Sequence, residues 1–310
     1  MAFHFDSASG RPLFTWQIIG GSGKQFVTSD GRLATKNNLI PKGLSFLEYT
    51  TATNLSTFTL HTNGPAHYSV DWGDGTTEIV EATTDEDKTH NYSSAGQYVI
   101  KVDVVSGTVR PVHFVSTGNS ADETNVVRVE GVGGRFGDTL QSAWRKTLSL
   151  TTFCKSKMMD VSKVTDFQYT WRDCENLEEF PRLNFKNGED FLRAWQACKK
   201  LTSFPACDFS SGTDFRKAWH RCEALTTFPP NQFDNTGTLR PDAFAEAFNE
   251  CALTAQSIEN ILVSLDTNGA PNIELGLKDG TNAGKSTWSQ DAVDAYDNLN
   301  NKGWTITNEP

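Results

Sequence analysis

Aromatic and aliphatic residues recur along the second half of the chain with a fixed period. Asp166-Phe167 leads to Trp171, Cys174, Leu177, Phe180-Pro181 and Phe185. Asp190-Phe191 leads to Trp195, Cys198, Leu201, Phe204-Pro205 and Phe209, and Asp214-Phe215 to Trp219, Cys222, Leu225, Phe228-Pro229 and Phe233. The step is 24 residues and holds at nearly every apolar position. Self-similarity of this kind marks supersecondary units that stack on one another. Two flanking units are degenerate. Upstream, Trp144, Leu150 and Phe153 fit with Thr147 in the cysteine position, and the step to Trp171 is 27. Downstream, Phe244, Phe248 and Cys251 fit, with phenylalanine in the tryptophan position. End units are expected to differ because each end must be closed against water.

Within one unit, Phe191, Ala194, Trp195 and Cys198 fall at i, i+3, i+4 and i+7. That spacing predicts a helix of about two turns, with Asp190 as its N-cap. Leu201 and Phe204 alternate before Pro205, which predicts a short edge-like strand, and Phe209 anchors the returning loop. One unit cannot bury so many large side chains, whereas stacked units bury them as ladders. Beyond the repeats, Ile258, Ile261, Leu262 and Leu265 share a helical face that ends at Asn268-Gly269. A second helix is predicted over 290–300, stopped by Gly303, with a last strand at 304–307. Together these read as a C-terminal cap.

The first half alternates with a period of two instead. Strands are predicted at 55–60, 68–72, 78–81, 98–105 and 109–115, separated by turn signals such as Asn63-Gly64 and Gly73-Asp74-Gly75. Several short strands with turns between them suggest a sandwich. Residues 1–43, with apolar clusters at 13–19 and 26–27, read as a β-rich attachment segment. The chain thus divides into 1–43, 44–125 and 126–310.

Two resemblances sharpen this division. The W-x-x-C-x-x-L-x-x-F-P runs at Trp171, Trp195 and Trp219 resemble the BspA-like leucine-rich repeats of bacterial and phage surface proteins, over roughly residues 126–265. Asp71-Trp72-Gly73-Asp74-Gly75-Thr76, followed by His90-Asn91-Tyr92 and Gly96-Gln97-Tyr98, resembles the polycystic-kidney-disease (PKD) type of immunoglobulin-like domain. The resemblances imply an all-β sandwich followed by an α/β leucine-rich-repeat solenoid, and modules that act as spacers, in adhesion and in display. Trp72 is expected in the sandwich core, Gly73 and Gly75 at positive φ, Asp74 on nearby backbone N–H groups, and His90 hydrogen-bonded within the sandwich.

Composition adds limits. Hydrophobic residues make up 37% and charged residues 21%, enough to build real cores. Net charge is −10, which disfavours nucleic acid as a partner. No run of roughly 18 apolar residues is present, so membrane insertion is not expected. The amino terminus does not read as a signal peptide. The six cysteines, Cys154, Cys174, Cys198, Cys207, Cys222 and Cys251, lie in the second half, and most follow the repeat. They read as free, buried packing residues rather than disulfides or metal ligands.

Chemistry is sparse. Gly20-Gly21-Ser22-Gly23-Lys24 lacks the phosphate-loop spacing, and Gly131–Gly137 is not a dinucleotide fingerprint. Asp71, Asp74, Asp85, Glu86 and Asp87 could gather calcium but read as a solvated loop, since no EF-hand spacing is present. No nucleophile elbow or placed carboxylate pair is found. No catalytic residue, cofactor or metal site is therefore assigned. Residues 142–225 carry a local balance of +3 against −13 for the remainder. Arg172, Arg193, Lys199, Lys200, Arg216, Lys217, His220 and Arg221 form the candidate binding surface, with His220 expected to be exposed. An anionic glycan or acidic protein on a host surface is the expected ligand class.

These readings converge on a non-enzymatic phage virion protein of tail, fibre or head surface, made in the host cytoplasm. It would attach to other virion proteins through residues 1–43, and a second copy of the chain is an admissible partner. A bacterial cell-surface adhesin is the first alternative, and a tail-associated glycan-cleaving enzyme the second.

Overall fold

A computed structural model describes residues 15–18, 24–27, 33–34, 45–62, 64–107, 109–110, 126–132, 139–155 and 159–307. A β-sheet region comes first, then a mostly irregular region, then two helices. The sequence expectations for 20–23, 111–115 and most of 1–43 lie outside the described residues.

Near the amino terminus, β1 (Thr15–Ile18), β2 (Lys24–Val27) and β3 (Leu33–Ala34) form an antiparallel sheet in that order. Next come β4 (Ser45–Thr51), β5 (Leu55–Thr62), β6 (Ala66–Asp71), β7 (Thr77–Ala82), β8 (Asp87–Gly96), β9 (Val99–Ser106), β10 (Val109–Arg110) and β11 (Val126–Val132). One sheet has the order β10-β5-β8. The other runs β12-β11-β4-β9-β6-β7, where β12 is Thr152–Phe153. The two sheets meet through side chains: Tyr49 lies 6.1 Å from Phe58 between ring centroids, and Tyr68, Val70, Ile100 and Val102 are buried with Phe58 and Leu60. Strands β4 and β8 were not among the sequence expectations. Strand β8 is polar on its exposed positions and reads Asp-Lys-Thr-His-Asn-Tyr, so alternation alone does not reveal it. Strand β11 pairs antiparallel with β4 and parallel with β12, which links the sheet directly to the first repeat unit.

From Thr139 to Thr254 regular structure is scarce, and the expected helix of each unit is absent. Where a helix sends each N–H back four residues, the N–H groups of Phe191, Arg193, Trp195 and Ala197 bond forward to the carbonyls of Asp214, Arg216, Ala218 and His220. Those of Ala194, Gln196 and Cys198 close turns three residues back. The cause is visible in the dihedrals: Arg193 and Ala197 hold φ of 54° and 60°, and their equivalents Tyr169, Asp173, Lys217 and Arg221 do the same at 57°, 62°, 55° and 62°. A left-handed residue at every fourth position breaks the helix and turns alternate amides toward the neighbouring unit. The periodicity of apolar residues fits both conformations, which is why it misleads. The expected strand at Leu201–Phe204 likewise shrinks to one parallel bridge, Ser203 to Thr227.

Ala197 sits in such a turn, at φ 60°, and glycine suits it. Ala197→Gly is expected to leave stability unchanged or to raise it by up to about 1 kcal/mol, because the left-handed cost of the methyl is relieved. A helix would instead lose about 1 kcal/mol. Urea unfolding of the variant distinguishes the two.

Successive units lie in parallel register. Asp166, Asp190 and Asp214 bridge one another in sequence, and each accepts a hydrogen bond at Oδ1 from the amide two residues on, at 2.9, 2.9 and 3.1 Å. These aspartates therefore open a turn rather than cap a helix. Behind them the apolar side chains form ladders. Trp144, Trp171, Trp195 and Trp219 stack at 5.8, 5.4 and 5.3 Å, and Phe248 continues the row at 5.0 Å. Phe180, Phe204 and Phe228 stack at 5.6 Å per step and meet the indoles edge-on. Leu177, Leu201 and Leu225 are fully buried beside them.

The cysteines complete this core. None of the six forms a disulfide, and Cys154, Cys174, Cys198, Cys222 and Cys251 are buried. The thiols of Cys174, Cys198, Cys222 and Cys251 donate to the carbonyls of Trp144, Trp171, Trp195 and Trp219, one unit back, at 3.0, 3.3, 3.2 and 3.1 Å. Thr147, at the cysteine position of the first unit, donates its hydroxyl to its own Trp144 carbonyl. Burial pushes the Cys222 thiol up to about 12 and that of half-buried Cys207 up to about 12 as well. A thiolate-seeking reagent at about pH 8 is therefore expected to spare these thiols in the folded chain and to label all of them only after denaturation. Fast labelling of Cys174, Cys198 or Cys222 in the native state would contradict the packing.

The carboxyl-terminal end is closed by α1 (Ala255–Asn268) and α2 (Gln290–Asn301). Thr254 caps α1, and Gly269 ends it at φ 79°. On α1, Ser257 and Ser264 accept the amides of Phe228 and Phe233, while Asn260 and Asn268 donate to the carbonyls of the same two residues. The helix thus satisfies backbone groups that a further unit would otherwise meet. Strands β13 (Glu274–Gly276) and β14 (Thr305–Thr307) pair in parallel beside it.

Candidate binding surface

Parallel register decides what the basic residues do. Equivalent positions of adjacent units become neighbours, as cross-strand pairs do in a sheet. Lys199 falls on Glu175 at 2.9 Å, Lys217 on Glu246 at 3.0 Å, and Arg221 on Glu250 at 3.4 Å. Arg216 binds Asp214 at 2.6 Å and Asp242 at 3.0 Å. His220 is not exposed as expected. It is 13% exposed and lies between Gln196, which meets its Nδ1 at 3.0 Å, and Glu250, which meets its Nε2 at 3.0 Å. Much of the expected basic surface is thus neutralised by its own carboxylates, and half-exposed pairs of this kind add little to stability. Lys200 is exposed and makes no ion pair among the described residues.

Arg172 and Arg193 differ. Their guanidinium carbons lie 5.7 and 6.0 Å from the centre of the Tyr169 ring, and that of Arg145 lies 5.8 Å away. Arg172 Nε is 3.4 Å from Asp173 Oδ2. Among the described residues Arg193 has no carboxylate partner. Burial is the main cause that draws the Arg172 pKa below its usual range; Asp173 opposes this, and the charges of Arg145 and Arg193 add to it. Tyr169 and Arg145 were not singled out in sequence. The signal was present in the offsets: Tyr169 and Arg193 are equivalent at a step of 24, and Arg145 and Arg172 at a step of 27.

The aspartate row shows the cost of register. Burial, then the neighbouring Asp214 and Asp166, raises the Asp190 pKa. With a raised folded value, its contribution to stability is complete below the ordinary carboxylate range and is lost as pH rises through the folded value. Asp190→Asn keeps an oxygen for the Leu192 amide. It is expected to raise stability at neutral pH and to flatten the decline above about pH 4, as read from melting temperatures across pH. An unchanged profile would reject the assignment.

The Trp-Gly-Asp-Gly motif of the sheet region forms a lock rather than a site. Trp72 is fully buried and stacks on His90 at 4.9 Å. His90 Nε2 meets Asp74 Oδ2 at 2.8 Å, and Asp74 accepts from the Thr76 hydroxyl at 2.6 Å and the Thr76 amide at 3.0 Å. These bonds, Thr76 first and His90 second, hold the Asp74 carboxyl at about 2. Gly73 and Gly75 adopt φ of 83° and 95°, and a Cβ on Gly73 would meet the Val99 carbonyl at 2.7 Å. The Tyr92 hydroxyl donates to the Trp72 carbonyl at 2.9 Å, and its ring stacks on Tyr98. Of the other acidic residues considered for calcium, Asp71 accepts from Gly73 N–H, Asp85 from Gly64 N–H, and Asp87 pairs with His61. Among the described residues no three metal-ligating side chains cluster, and no helix is long and apolar enough to cross a membrane.

No family model matches the chain, and no curated protein or solved structure matches it. The residues themselves carry the functional argument.

Proposed function

We propose that this chain is a non-enzymatic structural and binding protein of a phage particle, at the tail, fibre or head surface. On this reading residues 44–125 are a PKD-type immunoglobulin-like sandwich acting as spacer. Residues 126–310 are a BspA-like leucine-rich-repeat solenoid with a helical cap, and residues 1–43 attach to other virion proteins. The observation that carries the reading is the in-register stack. It places the turn residues of successive units side by side over an aromatic core, which makes a continuous, rigid row suited to binding. The Trp-Cys-Leu-Phe-Pro runs and the Trp-Gly-Asp-Gly motif support the domain assignments, and such modules serve adhesion and display.

The test is adsorption of the whole chain to bacterial cells and to purified particles. A charge-reversed turn row, Arg193→Glu with Lys217→Glu, is compared with the same reversal away from it, Lys285→Glu with Lys302→Glu. Saturable adsorption that only the first variant loses supports the reading. Equal adsorption by both variants, or none by the parent chain, contradicts it.

A further inference from the structure

The six-stranded sheet ends on one side at β7, which has β6 as its one neighbour among the described residues. The Trp72 amide donates to the Thr76 carbonyl at 3.1 Å, and this fixes the parity of the hairpin. Antiparallel pairs alternate between bonded and unbonded, so Glu78, Val80 and Ala82 bond to β6. The N–H and C=O groups of Thr77, Ile79 and Glu81 point the other way, along the open edge. Proteins usually blunt such an edge with charge, proline or a bulge. Here its centre carries Ile79, which is 75% exposed, while no other large apolar side chain among the described residues exceeds 39%. Of the two acidic residues on the strand, Glu78 is held by Lys88 at 2.5 Å and by the Trp72 indole at 3.3 Å. The edge of the other sheet, β8, differs: it begins Asp-Lys-Thr-His-Asn, and its pairing with β5 shifts register near Leu55.

We infer that β7 pairs antiparallel with β7 of a second copy of the chain, about a two-fold axis through Ile79. In this register Ile79 lies opposite Ile79 of the second copy, Thr77 opposite its Glu81, and Glu78 opposite its Val80. The outward N–H and C=O groups of Thr77, Ile79 and Glu81 then all find partners. The two isoleucines cover each other, and no carboxylate faces a carboxylate. A slip of one residue toward Val80 would set Glu78 against Glu81 and would oppose groups already bonded to β6. The same patch thus complements itself, as a two-fold interface requires. The pairing also has a consequence for binding. Strands β7 and β12 are the opposite ends of the sheet, and β12 adjoins the repeats. Two sheets joined at β7 become one, with a repeat region beyond each far end. A binding protein joined in this way gains avidity without any new ligand contact. The pairing itself does not depend on what the repeats bind.

Sedimentation equilibrium of the full chain, at concentrations up to about 100 μM, reads the association, because a single strand pair is a small interface. A concentration-dependent dimer is expected. Ile79→Lys sets two like charges opposite each other at the axis and is expected to weaken the dimer at least about tenfold. Ile79→Val keeps an apolar pair and is expected to weaken it less than about threefold. Val263→Lys, at an exposed apolar residue of α1, is expected to leave it unchanged. The Ile79 side chain faces water in the single chain, so the melting temperature of Ile79→Lys in dilute solution is expected to match the parent. Hydrogen exchange locates the contact. The amides of Thr77, Ile79 and Glu81 are expected to slow as concentration rises, while those of Glu78, Val80 and Ala82 are slow throughout. A parent that stays monomeric over the whole range, or a dimer that Ile79→Lys leaves intact, overturns the proposal. Protection that appears on another strand and not on β7 overturns it as well.

Discussion

Trp195→Ala is expected to cost about 3–5 kcal/mol, enough to melt the repeat region at ordinary temperature. Trp195 has no exposed surface. It stacks between Trp171 at 5.4 Å and Trp219 at 5.3 Å, and meets Phe204 edge-on at 4.9 Å and Phe180 at 5.4 Å. Truncation therefore opens a void in both the tryptophan and phenylalanine ladders, and the aligned backbones on either side cannot close it without losing register. Trp195→Phe is expected to cost only about 1–2 kcal/mol. The Trp195 indole N–H has no hydrogen-bond partner to lose, and Phe248 already fills the equivalent place against Trp219. Urea unfolding followed by near-ultraviolet circular dichroism reads both. Equal losses for the two variants would show that the ladder is not what holds the units together.

Asp214→Ala is expected to cost about 2–3 kcal/mol, somewhat below the loss for a wholly buried ion pair. The Asp214 carboxylate is fully buried, whereas its partners Arg216 and Arg240 are 29% and 43% exposed. The stranded guanidiniums can therefore rehydrate, and Arg216 keeps Asp242. What is lost besides the pairing is the acceptor for the Arg216 amide at 3.1 Å, which opens the turn. Asp214→Asn restores that acceptor and is expected to recover part of the loss. The same substitution at Asp190 goes the other way, since Asp190 has carboxylate neighbours instead of a bound arginine. Opposite signs for Asp190→Asn and Asp214→Asn in one unfolding assay check the account of the aspartate row.

The ladders were legible in the sequence because a single offset repeats through Trp171, Trp195 and Trp219, and stacking depends on that offset alone. The conformation of each unit was not. Apolar residues at i, i+3, i+4 and i+7 mark a helical face, but a chain of turns with positive φ at Arg193 and Ala197 places the same residues inward. Nothing in Arg, Ala, Tyr or Lys announces a left-handed backbone as glycine would. The first closing helix was legible because Ile258, Ile261, Leu262 and Leu265 share one face and Gly269 stops it. The basic surface was legible only as composition. Its pairing depends on which carboxylate the neighbouring unit offers, so Lys199, Lys217 and Arg221 are consumed and Arg193 is not.

Immunogold electron microscopy with an antibody to residues 126–310, on particles purified from the strain that encodes the chain, tests the central claim most directly. Gold at the tail or fibre tips, or spaced regularly over the head, is the expected result, and its position separates host adhesion from decoration. Gold confined to the cell envelope, with particles unlabelled, would contradict the virion assignment and identify a bacterial surface protein instead.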